Sequence, residues 1–345
     1  MKKYNVAVVG ATGMVGQTLV QVLQERNFPV GNLKLLASAR SAGTKVEMLG
    51  KDYLVEEANP EAFEGVEIAF FSAGGAVSQE LAPEAVRRGA VVIDNSSAFR
   101  MDEGIPLVVP EVNPEALANH QGIIANPNCS TIQLVVALQP LHAAAGLKRV
   151  VVASYQAVSG AGKEAVDELL AQTEAVLAGS AAMPRERFPH AKAKVQHQIA
   201  FNMLPQIDVF DDDDYSKEEL KIIRETRKIM GLPDLRITST TVRVPVIYGH
   251  SEAVNVEFEQ PISVAQVREA LQNAPGIVVM DDPTSLLYPM PADLAGRDEV
   301  FIGRVRVDRS VSYGINMWVV ADNIRKGAAT NSVQIAETLI ARGQL

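Results

Sequence analysis

The chain has 345 residues, enough for about two domains, and its 47% hydrophobic and 21% charged content is that of a soluble globular protein. The formal net charge of −9 argues against a general nucleic-acid binder, and one cysteine cannot close an internal disulfide, so a reducing compartment, the cytoplasm, is expected. The apolar run Val6 to Val9 is too short for a signal segment, and nothing approaches a membrane span.

Asn5 to Val9 reads as a buried parallel strand. It runs into Gly10-Ala11-Thr12-Gly13-Met14-Val15-Gly16 and then a helical stretch from Gln17 to Gln24. Strand, glycine-rich turn and helix in that order predict dinucleotide binding, because the glycines let backbone approach a pyrophosphate resting on the helix N-terminus. The spacing is G-x-x-G-x-x-G rather than G-x-G-x-x-G. The next strand, Leu33 to Ala37, ends in Ser38-Ala39-Arg40-Ser41, with Thr44 a little later. An NAD-preferring site usually places an acid here for the ribose 2′-OH. Hydroxyls and a guanidinium suit a 2′-phosphate instead, so NADP is favoured.

A hairpin (Val46 to Met48, Tyr53 to Glu56) precedes the strand Glu67 to Phe71. Ser72-Ala73-Gly74-Gly75 then turns into a helix over Val77 to Arg88, and lies where α/β sheets bind ligands, at a strand's C-terminal end. Val91 to Ile93 forms another buried strand that leads into Asp94-Asn95-Ser96-Ser97-Ala98-Phe99-Arg100. Arg100 can grip a phosphate there or serve as a surface ion-pair partner; its segment alone leaves both open.

The sole cysteine sits in Asn126-Pro127-Asn128-Cys129-Ser130-Thr131, between an apolar strand-like run and the long apolar run from Ile132. That second run has helical length, continues to Leu141 and meets its first breaker at Pro140. With Asn128 or Ser130 as N-cap, Cys129 falls at or just before a helix N-terminus, where dipole and free N–H groups favour a thiolate. A lone cysteine is more often a small buried hydrophobe, but polar flanks make poor core material.

Further on, Arg149 to Ser154 reads as a strand and Tyr155 to Gly162 as a glycine-rich loop containing Gln156, Ser159 and Gly160. A helix follows over Lys163 to Leu177, then an irregular polar stretch over Gly179 to Gln198 whose His190 and His197 read as surface residues. Asp211 to Asp214 lacks the alternation of calcium loops and reads as a solvated turn. Tyr215 to Met230 is helical, with Glu218 and Lys221 on one face; taken alone they are an ordinary surface ion pair. Strands are expected from Leu235 to Ile247, carrying Arg243, and from Ala253 to Phe258, with His250 in the turn between them. Helix Val264 to Gln272, strands Val300 to Val307 and Ile315 to Val320, and a last helix over Ala328 to Ala341 complete the pattern. That last helix suits a return to the first domain, since a parallel sheet needs cover on both faces. No cluster of His and Cys offers a metal site, so no metal is expected.

Taken together, the Gly10–Gly16, Asp94–Arg100, Asn126–Thr131 and Gln156–Gly162 motifs, with Val242-Arg243-Val244-Pro245 and His250-Ser251, resemble bacterial aspartate-semialdehyde dehydrogenases over essentially the whole chain. The resemblance implies an α/β fold: a Rossmann-like NADP-binding domain (1–127 with 322–345) and a mixed α+β catalytic and dimerisation domain (128–321). It implies a homodimer or dimer of dimers that reduces L-aspartyl 4-phosphate with NADPH to L-aspartate 4-semialdehyde and phosphate, on the way to lysine, diaminopimelate, threonine and methionine. Position by position, Cys129 matches the nucleophile, His250 the general acid/base, expected near neutral pKa, and Gln156 the residue that orients the acyl intermediate. Arg243 and Glu218 match the anchors of the substrate carboxylate and amine. Arg100, Lys221 and Asn128 match the phosphate contacts. Gly10, Thr12, Gly13, Met14, Val15, Gly16, Ser38, Arg40, Ser41, Thr44, Ser72, Gly74, Ser159, Gly160 and Asn323 are the expected cofactor contacts. The alternatives are an N-acetylglutamyl-phosphate reductase, whose substrate amine is blocked and leaves an acidic anchor like Glu218 without purpose, and a non-catalytic NADP-binding thiol sensor.

Overall fold

The computed structural model describes residues 2–48 and 51–345. The chain divides into two compact units, one made of the residues up to Asn128 with Gly327–Leu345 and the other of Cys129–Lys326.

The first unit opens with β1 (Tyr4–Val9), α1 (Met14–Glu25), β2 (Val30–Ala37), and the hairpin β3 (Lys45–Met48) and β4 (Lys51–Glu57). It continues with β5 (Ile68–Phe71), α2 (Gly75–Arg87), β6 (Val91–Asp94) and β7 (Ile123–Ala125). Among the described residues these strands form a seven-stranded sheet in the order β3-β4-β2-β1-β5-β6-β7, parallel except for the β3–β4 hairpin. Strand residues are apolar on both sides because both faces are covered. Val6, Val8 and Leu35 pack with Leu19 and Val22 of α1 and with Val333 and Ala336 of the C-terminal helix (Thr330–Ala341). Ala7, Val9 and Leu36 pack with Leu81, Ala82 and Ala85 of α2. An ion pair at 2.7 Å joins Arg26, at the end of α1, to Glu337 of the C-terminal helix. Strand β1 is flanked by β2 on one side and β5 on the other, so the winding reverses there. This reversal opens a crevice at the C-terminal ends of β1 and β5.

The second unit comprises α3 (Cys129–Ala145), β8 (Leu147–Gln156), α4 (Lys163–Leu177), α5 (Lys217–Met230), β9 (Arg236–Arg243) and β10 (His250–Phe258). It closes with α6 (Val264–Gln272), β11 (Ile277–Val279), β12 (Val300–Val307) and β13 (Gly314–Ala321). Its sheet, six-stranded among the described residues, runs β11-β12-β13-β10-β8-β9 and is mixed: β8 and β9 are parallel, while β10 is antiparallel to β8 and to β13. Helix α3 is buried nearly all round, against α5, α6 and the sheet.

Several boundaries differ from the sequence reading; above all, β10 begins at His250, which that reading placed in the preceding turn, because the strand is already paired with β13 there. Helix α3 runs through Pro140 to Ala145, since the burial of Ile132 to Leu138 and Leu141 offsets the one backbone bond that a proline forfeits. Strand β8 extends to Gln156, which pairs with Arg243 and so belongs to the sheet rather than the loop. Strand β9 stops at Arg243, before Pro245. Among the described residues no helix is long and apolar enough to cross a membrane, and no group of His, Cys, Asp and Glu is arranged to hold a metal. The Asp211 side chain accepts from the backbone N–H groups of Asp213 and Tyr215, so the acidic run is a turn.

Candidate active site

Cys129 is the first residue of α3, which leaves Ser130 inside the helix and Asn128 just before it. The approach to this helix start is fixed within the first unit by side-chain amides. Asn126 donates to Asn95 Oδ1 at 3.0 Å and accepts from Asn331 Nδ2 of the C-terminal helix at 2.7 Å. These bonds account for the polar composition of a buried turn. At the head of α3 the thiol has the positive end of the helix dipole beside it.

The Cys129 Sγ lies 3.2 Å from Nε2 of His250. His250 opens β10, whereas Gln156 and Arg243 close β8 and β9. Because β8 and β9 are parallel and β10 is antiparallel to β8, these three residues stand at the same end of the sheet. The backbone N–H of Ala157 donates to His250 Nδ1 at 3.0 Å. A backbone N–H can only donate, so Nδ1 is the acceptor and the neutral ring carries its proton on Nε2, facing the sulfur.

Burial is complete here and pushes the His250 pKa down to about 3, with the Arg243 guanidinium acting in the same direction and Glu218 opposing it. This corrects the expectation of a near-neutral histidine. The ring rests uncharged, with its Nε2 facing the Cys129 sulfur. Arg243 is 5% exposed and donates to Ala157 O at 2.7 Å. Its charge attracts a thiolate at Cys129 and the Glu218 carboxylate, although burial lowers its own pKa. Gly160 closes in on the same groups. A Cβ there would stand 3.0 Å from Arg243 Nη1 and 3.3 Å from His250 Cε1, so a side chain at this position would press on both groups.

Glu218 reaches the site because its neighbour caps the helix. Ser216 and Glu219 form a capping box at the start of α5, and Glu219 also accepts from the backbone N–H of Thr241 on β9 at 3.0 Å. Glu218 is thereby left to accept from Gln156 Nε2 at 3.2 Å and Lys221 Nζ at 3.0 Å. Its side chain is 7% exposed, so this is not the surface ion pair that the helix spacing alone suggests. Lys221 also pairs with Asp208 at 3.3 Å.

Ser159 and Asn323 hydrogen-bond each other, and Asn323 Oδ1 accepts from the Gly249 N–H at 2.9 Å, just before His250. Cys129, Gln156, Ser159, Gly160, Glu218, Lys221, Arg243, His250 and Asn323 all belong to the second unit. Arg100, Asn128 and the remaining cofactor candidates belong to the first.

In the first unit Gly10 has φ +84°, and a Cβ on it would meet the Ser72 backbone at 2.8 Å; a Cβ on Gly16 would stand 2.2 Å from the Gly10 carbonyl. Gly13 and Gly74 precede α1 and α2, and neither helix start is capped by a side chain. Thr12 and Gly13 are exposed, while Met14 and Val15 are half-buried. Two uncapped helix N-termini at neighbouring strand ends fit a dinucleotide pyrophosphate. Ser72 is tied by its hydroxyl to Val9 O at 3.1 Å. After β2, Ser38, Arg40 and Thr44 are exposed and Ser41 is half-buried, in a turn closed by a bond from Thr44 Oγ1 to Ser41 O at 2.7 Å. Arg100 is buried and donates to Asn95 O at 2.8 Å.

Two family models match the chain: "Semialdehyde dehydrogenase, NAD binding domain" over residues 5–120 and "Semialdehyde dehydrogenase, dimerisation domain" over residues 138–326. The aspartate-semialdehyde dehydrogenase of Bacillus subtilis (strain 168) is 57% identical over 336 residues, 97% of each chain. The chain belongs to the aspartate-semialdehyde dehydrogenase family. A crystal structure of aspartate-semialdehyde dehydrogenase II from Vibrio cholerae, complexed with ASA, superposes with a TM-score of 0.93 at 50% identity, covering 99% of both chains. The Candida albicans enzyme, solved with NADP, superposes with a TM-score of 0.76 at 26% identity over 100% of both chains.

For an aspartate-semialdehyde dehydrogenase, the supporting parts of this site are as telling as the reactive ones. Ala157 uses both its N–H and its carbonyl, on His250 and Arg243, and no residue type signals that. Ser154 accepts from Gln156 Nε2 at 3.2 Å from two residues back along β8, a role visible only once the strand is known to reach Gln156. Glu219 did carry a signal, the Ser-x-x-Glu spacing of a capping box.

Proposed function

We propose that this enzyme converts L-aspartyl 4-phosphate and NADPH to L-aspartate 4-semialdehyde and phosphate through a thioester on Cys129. The step belongs to amino-acid biosynthesis toward lysine, diaminopimelate, threonine and methionine. The observation that carries this reading is the Cys129 Sγ at 3.2 Å from a His250 Nε2 that bears the proton.

The thiolate attacks the acyl carbon, a carbon–sulfur bond forms, and the carbon–oxygen bond to phosphate breaks. The His250 Nε2–H keeps the sulfur ionised and in line for attack. When bound, NADPH supplies the hydride that converts the thioester to the aldehyde. Gln156, held against Ser154 and Glu218, orients the acyl group. Arg243 takes the substrate α-carboxylate and Glu218 its ammonium group, while Arg100, Lys221 and Asn128 take phosphate. A buried carboxylate at Glu218 also favours a free amine over an N-acetylated one, which would offer it no cation. The Gly10–Gly16 turn and Gly74 suit the pyrophosphate, Ser72, Ser159, Gly160 and Asn323 the nicotinamide end, and Ser38, Arg40, Ser41 and Thr44 the 2′-phosphate. The match of residues 138–326 to a dimerisation domain supports a homodimer, or a dimer of dimers, and the lone cysteine supports a cytoplasmic setting.

The test is NADPH formation from L-aspartate 4-semialdehyde, NADP and phosphate, with phosphate omitted as control. Turnover that requires phosphate is expected. Turnover without phosphate, or with an N-acetylated glutamyl aldehyde in place of this one, would overturn the assignment.

A further inference from the structure

Asn95 is the first residue beyond β6, and it fastens several chain ends to one another. Its backbone N–H and its Nδ2 both donate to the carbonyl of Phe71, at the end of β5, at 2.9 Å and 3.0 Å. Its Oδ1 accepts from Asn126 Nδ2 at 3.0 Å, directly after β7, and from Ser332 Oγ of the C-terminal helix at 2.9 Å. One carboxamide therefore joins three strand ends and a helix. All of these residues lie in the first unit.

This bond set calls for an amide. The Phe71 carbonyl needs a donor, whereas Asn126 Nδ2 and Ser332 Oγ need an acceptor. An ionised aspartate has no proton for the carbonyl, and a serine has one short hydroxyl for three partners. The arms of this clamp are the two phosphate candidates of the first unit. Arg100 is docked on the Asn95 carbonyl at 2.8 Å and is 7% exposed. Asn126 leads to Asn128 through Pro127, whose ring fixes its own φ and restricts the residue before it, so an anchor at Asn126 is passed on along stiff backbone.

We infer that Asn95 is a positioning residue for phosphate: its carboxamide, bonded to Phe71, Asn126 and Ser332, fixes both the carbonyl that carries the Arg100 guanidinium and the turn that presents Asn128. The inference rests on the phosphate role proposed above for Arg100 and Asn128. It differs from a purely structural role in its consequence, since loss of the carboxamide weakens phosphate binding and spares the other substrates.

The test measures KM for phosphate, L-aspartate 4-semialdehyde and NADP in the phosphate-dependent oxidation, with kcat and the thermal midpoint, for Asn95→Ala, Asn95→Ser, Arg100→Met and Ser78→Ala. Asn95→Ala should raise the phosphate KM about tenfold, the worth of one weakened charge-assisted bond, and leave kcat at saturating phosphate and the other two KM values within about twofold. Asn95→Ser keeps one hydroxyl and serves if Asn95→Ala does not fold; it should shift the phosphate KM in the same direction by less. Ser78→Ala removes a neighbouring buried bond, from Ser78 Oγ to Asp94 Oδ1 at 2.6 Å, and is expected to lower the thermal midpoint with no change in the phosphate KM. Added to Arg100→Met, Asn95→Ala should raise the phosphate KM by less than it does in the wild type, because part of its effect acts through Arg100.

A wild-type phosphate KM in both Asn95 variants would overturn the proposal. So would a rise in Ser78→Ala as large as in Asn95→Ala, or equal rises in the KM of all three substrates. Arg100→Met tells the two readings apart. If it raises the phosphate KM while the Asn95 variants do not, the part given to Asn95 fails alone. If it leaves the phosphate KM at the wild-type value, the phosphate role of Arg100 fails and the proposal falls with it.

Discussion

His250 carries its single proton on Nε2 because Ala157 donates to Nδ1, and it stays neutral because it is wholly buried beside Arg243. This has a consequence for stability. The native ring takes up a proton only near pH 3, whereas the unfolded ring does so near its ordinary 6.5. Between these values the unfolded chain binds more protons, so stability falls as pH drops from about 6.5 toward about 3. His250→Asn can still accept from Ala157 but cannot titrate. Urea unfolding midpoints across that window should fall less steeply for the variant than for the wild type; parallel curves would show that His250 is not held neutral. At the same scale, Gly160→Ala places a methyl 3.0 Å from Arg243 Nη1 in a residue that is otherwise exposed. We expect kcat/KM to drop by roughly 10- to 100-fold through misalignment, with an unchanged thermal midpoint. An unchanged kcat/KM would mean that Arg243 and His250 can shift without cost.

At the scale of elements, Cys129, Gln156, Glu218, Arg243 and His250 sit where a strand or helix begins or ends. Helix α5 illustrates how such an end is held: the Ser216 hydroxyl accepts from the Glu219 N–H at 3.3 Å and Glu219 answers the Ser216 N–H at 2.7 Å. Removing this cap with Ser216→Ala should cost about 1 kcal/mol in urea unfolding. No loss would mean that packing alone fixes the first turn and Glu218 with it. At the end of β2, the exposed Arg40 is the candidate for a 2′-phosphate. Arg40→Ala should lower the preference for NADPH over NADH by roughly tenfold or more, the worth of one charge-assisted bond. An unchanged ratio would reassign the residue to the surface.

Elements with strong periodicity were legible from the sequence: Lys163–Leu177 and Val264–Gln272 fall where their apolar spacing puts them. What local pattern could not show was continuation under burial, as in α3 past Pro140 and β8 as far as Gln156. The placement of Cys129 at a helix start was legible because its flanks are polar in a chain region that is otherwise apolar. The protonation of His250 was not, because it depends on burial and on a backbone N–H that lies 93 residues away in sequence.

At the scale of the whole molecule, both units follow one rule. Each gathers its candidate residues at the ends of strands, where the backbone leaves the sheet and loops are free to take special shapes. In the first unit the winding reversal between β2, β1 and β5 supplies the crevice, and in the second the parallel β8–β9 pair beside an antiparallel β10 brings Gln156, Arg243 and His250 to one end. Sequence motifs named these residues singly. Register joined them, and register is a property of pairing across long stretches of chain.

The most direct test of the central claim is to mix the enzyme with L-aspartyl 4-phosphate in the absence of nicotinamide cofactor, and to measure released phosphate and the mass of the peptide bearing Cys129. We expect a burst of about one phosphate per active site and one aspartyl group on Cys129, both lost in Cys129→Ala. Phosphate release with no acyl group on Cys129, or a Cys129→Ala enzyme that still reduces the substrate, would contradict the thioester account.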